Sequence, residues 1–295
     1  MRLFIPYIAC ALALLTVNVS YAYDFQFYAI DDYDAVGMPG NYLSQACIEG
    51  YYFYWAMVEY WNSCDDWAEN GGVNWQDWAT EDAFVNWTEF AYYAGHGCWD
   101  GPVYGDRALM PVGGCNGHLN VMHPAYYEFG AIHDDLKWVA WSACSTLFDG
   151  VTDSSYVNWN ALSRYFQVFQ GLHTLVGHRA TMAEGTWTEW SPGFWPWEWF
   201  DTTSYNSGVL SRCFVINMYC GYSILCSWFY ACDAVLYGGL ESGFEAAAIC
   251  AEPDGWDSGA SYPCETILNP HPDYTQSLTG FHYYWYRHGT PTYSY

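Results

Sequence analysis

The sequence predicts an α/β fold: a mostly parallel sheet with helices on both faces, in one domain. Three observations lead there. Short apolar segments that read as strands alternate with segments whose apolar residues recur at helical spacing. Hydrophobic residues make up 52% of the 295 positions, enough for a large core and against global disorder. No internal repeat and no linker divides the chain, so residues 23–295 read as a single unit with a Tyr/Pro-rich tail.

The elements follow in order. Residues 1–22 read as a secretory signal: Arg2 gives the positive start, "FIPYIACALALLTV" the apolar stretch and Ser20-Tyr21-Ala22 the small-residue cleavage site. "YDFQFYAI" (23–30) alternates and is aromatic, which predicts a strand. After a turn-rich loop, 42–61 has apolar residues at helical spacing and no proline, which predicts a helix. Residues 62–78 read as loop, 88–95 as a buried strand, and 98–136 as irregular. "LKWVAWSAC" (136–144) predicts a strand, 158–170 a helix capped by Asn158 or Asn160, and "GLHTLVGHR" (171–179) another strand. Residues 186–200, with two prolines, read as a tryptophan-rich loop. Residues 205–237 read as two helices meeting near Gly221. No charge falls between Arg212 and Asp233, but Asn217, Ser223, Ser227 and a central glycine argue for a buried helix pair over a membrane span. Residues 242–250 read as a last strand or a helix end.

Composition bounds the partners. Lys+Arg total 7 against Asp+Glu 32, a formal charge of -25, so nothing here could neutralise nucleic-acid phosphates. The single lysine, Lys137, leaves few sites for trypsin-like proteases, which suits a secreted, extracellular or cell-surface protein. There are 12 cysteines, and removal of Cys10 with the signal leaves an odd number. In a secreted chain the default is disulfides with one thiol left over, and the spacing matches no zinc or haem motif. No cofactor and no metal is implied. His118, His123, His133, Asp134 and Asp135 crowd one segment without a ligand spacing, and Asp31, Asp32 and Asp34 lack the EF-hand pattern.

The chemistry lies in "AYYAGHGCWDG" (91–101), where a strand-like run delivers His96 between Gly95 and Gly97. The carboxyl end of a parallel strand is where α/β folds bind ligands, and a flanking glycine allows close backbone approach. The strand 136–144 ends in Ala143-Cys144. Two parallel strands would bring both residues to one edge, and a thiol beside an imidazole is an arrangement for nucleophilic catalysis.

Tyr93-Ala94-Gly95-His96-Gly97, followed about 50 residues later by strand and Ala143-Cys144, resembles the caspase–gingipain–legumain group of cysteine peptidases. It is similar, more narrowly, to an uncharacterised caspase-like domain family of secreted microbial proteins, through "FQGLHTLVGH" (169–178) and "GYSILCSWFYACDA" (221–234). The resemblance covers most of 85–250. It implies a caspase-like three-layer sandwich, with Cys144 as nucleophile, His96 as acid/base, and the amides of Gly97 and Cys144 as an oxyanion hole. The caspase Gln-Ala-Cys-x-Gly sequence is absent: Ser142-Ala143-Cys144-Ser145-Thr146 stands there, and no processing site separates two subunits. Arg179 and Arg107 are the candidates to bind an acidic substrate side chain, and Asp149 or Asp153 a basic one.

Each signal has a plainer reading. Cys144 could sit in a structural disulfide, and His96 could be a core histidine. Cys98 is expected to be bridged, with Cys115 as a partner. Asn86-Trp87-Thr88 matches a glycosylation acceptor. The tryptophans at 187, 190, 195, 197 and 199 could stack on sugars, fill a subunit contact or cap the core. Two functions stay open: a secreted cysteine endopeptidase acting on a peptide or protein, and an inactive caspase-like scaffold building an extracellular layer, sheath or filament as a homo-oligomer. A carbohydrate-binding module is a third, resting on tryptophan alone.

Overall fold

The computed structural model describes residues 24–31, 46–61, 66–69, 72–73, 78, 84–95, 98–99, 108–110, 119–120, 129–130, 135–143, 146–147, 169–179, 186–192, 199–237, 245–253, 265–268, 278–287 and 290–294. The strands are β1 (Phe25–Ala29), β2 (Asp66–Glu69), β3 (Phe90–Ala94), β4 (Cys98–Trp99), β5 (Ala108–Met110), β6 (Leu119–Asn120), β7 (Trp138–Ser142), β8 (Thr174–His178), β9 (Thr186–Pro192), β10 (Trp199–Tyr205), β11 (Glu245–Pro253), β12 (Leu278–Arg287) and β13 (Thr290–Ser294). The helices are α1 (Ala46–Trp61), α2 (Asn206–Tyr219) and α3 (Ile224–Tyr237).

The main sheet has eight strands in the order β13-β12-β11-β8-β7-β3-β1-β2. The pairs β2–β1, β1–β3, β3–β7 and β7–β8 are parallel; β8–β11, β11–β12 and β12–β13 are antiparallel. The α/β class and the parallel centre match the expectation. The central strands β1, β3, β7 and β8 are buried along their whole length, as the centre of a parallel sheet covered on both faces should be.

Strand alternation divides the core into two faces. On one, Phe25 meets Phe53 of α1 edge-on at 5.8 Å, and Tyr92 stacks on Phe53 at 4.3 Å. Phe90 contacts Phe214 of α2, and Phe214 contacts Trp228 of α3. All three described helices therefore lie on this face. On the other, Tyr28, Tyr93, Phe129 and Trp141 surround the buried Trp78. The segment 158–160 and most of the helix expected to follow it lie outside the described residues.

α2 and α3 are two 14-residue helices. Gly221, at φ +85°, turns the chain between them, a conformation that costs a glycine little. Among the described residues no helix is long and apolar enough to cross a membrane.

Several expectations need correction. Residues 66–69, read as loop, add the edge strand β2. The segment 98–136 contributes a small antiparallel sheet, β4-β5-β6. The tryptophan-rich 186–200 supplies β9 and the start of β10, which pair antiparallel from Thr186↔Tyr205 to Pro192↔Trp199. The strand after residue 244 is not the last: the tail contributes β12 and β13. Its tyrosines and single tryptophan are strand formers, and the prolines that suggested irregularity fall at positions such as Pro291 of edge strand β13, where a missing N–H is tolerated.

The disulfide-rich expectation is not supported. Cys47, Cys213, Cys226, Cys232 and Cys250 are free thiols. Cys220 is disulfide-bonded. With five thiols free among the described residues, the expectation of a single thiol left over does not hold. The glycosylation reading of Asn86 also fails to fit the fold. Asn86 is fully buried and its side-chain oxygen accepts from the Gly130 amide at 3.2 Å, while Thr88 donates to the Val85 carbonyl.

Candidate active site

The candidate site is the carboxyl edge of β3, β7 and β8. β3 and β7 run parallel in register from Phe90↔Trp138 to Ala94↔Ser142. The ladder continues one step further, because the Gly95 amide donates to the Ser142 carbonyl at 3.1 Å. Gly95 and Ala143 are the last described residues on this edge, and both are buried. His96, Gly97 and Cys144, which follow them in sequence, lie outside the described residues. So do Arg107, Asp149 and Asp153.

The described residues that follow, Thr146 and Leu147, are well tied. Thr146 Oγ1 donates to the Ala143 carbonyl at 3.1 Å. The Leu147 amide donates to the His178 carbonyl at 2.9 Å, and Tyr283 of β12 donates its hydroxyl to the Leu147 carbonyl at 2.6 Å. Gly177 makes room for this turn: a Cβ there would stand 2.9 Å from Thr146 Oγ1 and 3.2 Å from the Trp141 carbonyl oxygen. A glycine inside a strand is the sequence signal that could have found this close approach.

Arg179 sits one residue past β8 at this edge. It is buried, its Nη1 donates to Glu245 Oε2 at 2.6 Å, and its guanidinium lies 4.5 Å from the Trp285 ring centroid. Its charge is thus matched within the fold, and a substrate carboxylate would have to compete with Glu245. His178, beside it, faces the helices, 5.1 Å from the Trp228 ring. Burial pushes its pKa down to about 3, so it is neutral at physiological pH.

A buried polar pair lies beneath the edge on the helical side. The Tyr92 hydroxyl donates to Glu49 Oε1 of α1, and burial together with that carboxylate holds the phenol well above its ordinary pKa. Nothing in the sequence marked Glu49: it is one of two acids in an aromatic helix, and which of them is buried shows only once α1 packs on β3.

Three of the described thiols are held protonated by their surroundings and are poor nucleophiles. Burial, with Asp31 and Glu69 adding to it, pushes Cys47 up to about 12. Burial also raises Cys213, and raises Cys232 strongly. A thiol kept protonated does not attack.

No protein-family model and no curated protein matches this chain.

Proposed function

We propose that this chain is a secreted cysteine endopeptidase of caspase-like architecture, with Cys144 as nucleophile and His96 as acid/base. One observation carries the reading. β3 and β7 are adjacent, parallel and in register, and positions 96 and 144 each follow two residues after the paired Ala94 and Ser142. Supporting it, the described thiols with raised pKa values offer no competing nucleophile.

In this mechanism the Cys144 thiolate attacks the scissile carbonyl carbon, and its oxygen takes the negative charge. The amides of Gly97 and Cys144 would stabilise that oxyanion, each donor contributing about 10²–10³ in rate. Collapse expels the amine, protonated by His96, and leaves a thioester on Cys144. Water, deprotonated by His96, then releases the acid and restores the thiol. The turn held by Thr146, Leu147 and Tyr283 stiffens the backbone on the cysteine's C-terminal side.

The test is native labelling with a small electrophile, mapped by mass spectrometry. Cys144 should react first, and His96→Ala should slow it about 100-fold or more. Hydrolysis of a peptide library should vanish in Cys144→Ala. Equal reactivity of Cys144 and the described thiols, or unchanged labelling in His96→Ala, overturns the proposal. The alternative, an inactive extracellular scaffold, predicts neither labelling nor hydrolysis.

A further inference from the structure

Away from the sheet edge, the outer surface of α1 carries an aromatic cleft of about 220 Å³. Tyr51, Tyr52 and Trp55 line it, with Ala56 among them and Glu59 and the Arg212 side chain of α2 as its charged members. These aromatics are exposed: Trp55 keeps 62% of its surface in water, and Tyr51 and Tyr52 keep 41% each. A cluster of this kind on a soluble surface marks a contact site. We propose that the cleft binds a neutral oligosaccharide, with sugar rings stacked on Trp55 and Tyr51 and ring hydroxyls held by Glu59 and Arg212.

Three lines of reasoning select that occupant. First, the aromatic wall is held in place before any ligand arrives. Tyr51 lies 6.1 Å from Phe27 of β1, and Glu69 of β2 accepts from its hydroxyl, which is the largest cause pushing the phenol to about 12. Trp55 stands edge-on to Tyr54 at 5.3 Å, and Tyr54 stands edge-on to Trp67 at 5.3 Å. Rigid aromatic faces lose little entropy on stacking.

Second, the chemistry is mixed. An aromatic face is electron-rich, and the C–H face of a pyranose is its complement. Glu59 accepts and Arg212 donates, so vicinal hydroxyls can satisfy both. Among the described residues no ion pair engages either side chain. A pure hydrocarbon would leave both charges unsatisfied. A cation is opposed by Arg212, and an anion by Glu59 and by the formal charge of -25.

Third, the dimensions fit a chain. The cleft is smaller than the roughly 300–1,000 Å³ of drug-sized pockets, which suits one or two rings. Tyr51, Trp55 and Glu59 succeed each other at four-residue spacing along one stripe of the helix. Each step is about 6 Å, close to the length of one sugar residue, so a chain can run along α1.

The test is titration of the mature chain with cellohexaose, chitohexaose, maltohexaose and laminarihexaose, read by tryptophan fluorescence and by saturation transfer to the sugar protons. Oligogalacturonate serves as the anionic control. At least one neutral oligomer should bind at millimolar concentration or below, and the anionic one should not. Trp55→Ala should weaken binding about tenfold or more, and Glu59→Gln several-fold. Trp55 is exposed, so circular dichroism should show an unchanged fold. If Trp55→Ala nonetheless misfolds, Glu59→Gln and Arg212→Gln decide. Absence of binding to all four oligomers overturns the proposal, as does equal binding by the variants or binding of the anionic oligomer alone. Cys144→Ala should bind as the parent does, since this site does not depend on the peptidase reading.

Discussion

His178 offers a direct route from pH to stability. It is fully buried on the helical face of β8, against Trp228, and desolvation lowers its pKa to about 3. In the unfolded chain an ordinary histidine titrates near 6.5. Above 6.5 neither state holds the proton and the group is silent. As pH falls below 6.5 the unfolded chain takes up a proton that the folded chain refuses, so stability is lost, and the loss ends near pH 3. Each pH unit inside that window costs at most about 1.4 kcal/mol. Between pH 7 and pH 5 the two titration curves give a loss of about 2 kcal/mol from this group. Urea unfolding at pH 7, 6 and 5, followed by tryptophan fluorescence, measures it as a difference between the parent and His178→Leu. Other titrating groups cancel in that difference. The advantage of the parent over the variant should fall by about 2 kcal/mol across the range. A difference that stays constant with pH would refute the burial argument for His178.

Three further outcomes follow from the same packing. Glu265 is fully buried and accepts from His173 Nδ1 at 2.8 Å and Trp138 Nε1 at 2.9 Å, so Glu265→Ala should cost about 3 kcal/mol in urea unfolding by orphaning both donors. A loss under about 1 kcal/mol would mean other partners replace it. Gly177→Ala should cost about 1–3 kcal/mol, because Thr146 Oγ1 and the Trp141 carbonyl leave no room for a methyl. The same change should slow Cys144 labelling, and an unchanged labelling rate would separate the turn from the site. Half-exposed Cys226 should react with a neutral thiol reagent in the native state and Cys213, held protonated by partial burial, more slowly, whereas buried Cys47, Cys232 and Cys250 should react only on unfolding. Co-labelling of Cys232 with Cys213 would show that the α2–α3 layer opens.

The strands most legible in the sequence are the ones buried on both faces. "FQFYA", "FAYYA", "WVAWS" and "TLVGH" read as strands because a two-sided core favours short, mostly apolar and aromatic segments. β2 did not read that way, since "DWAE" at a sheet edge carries charge and is only four residues long. β9 and β10 were hidden by prolines and by tryptophans that suggested a surface function. For the site, Gly95 marked the strand end, whereas the close approach at Gly177 shows only in the structure. Arg179 was found for its scarce charge, but its engagement with Glu245 depends on β11 pairing antiparallel to β8, which local sequence does not specify.

By itself the sequence determined which segments are strands and helices at the centre and where helix α2 must stop. These depend on nearest neighbours along the chain. Only the tertiary structure decided the strand order, the single face shared by α1, α2 and α3, and the assembly of an aromatic cleft from two helices far apart in sequence. It also decided that Glu265 would meet Trp138, 127 residues away. Such contacts exist only after long-range pairing, because a buried polar group finds its partner through the packing of the whole sheet.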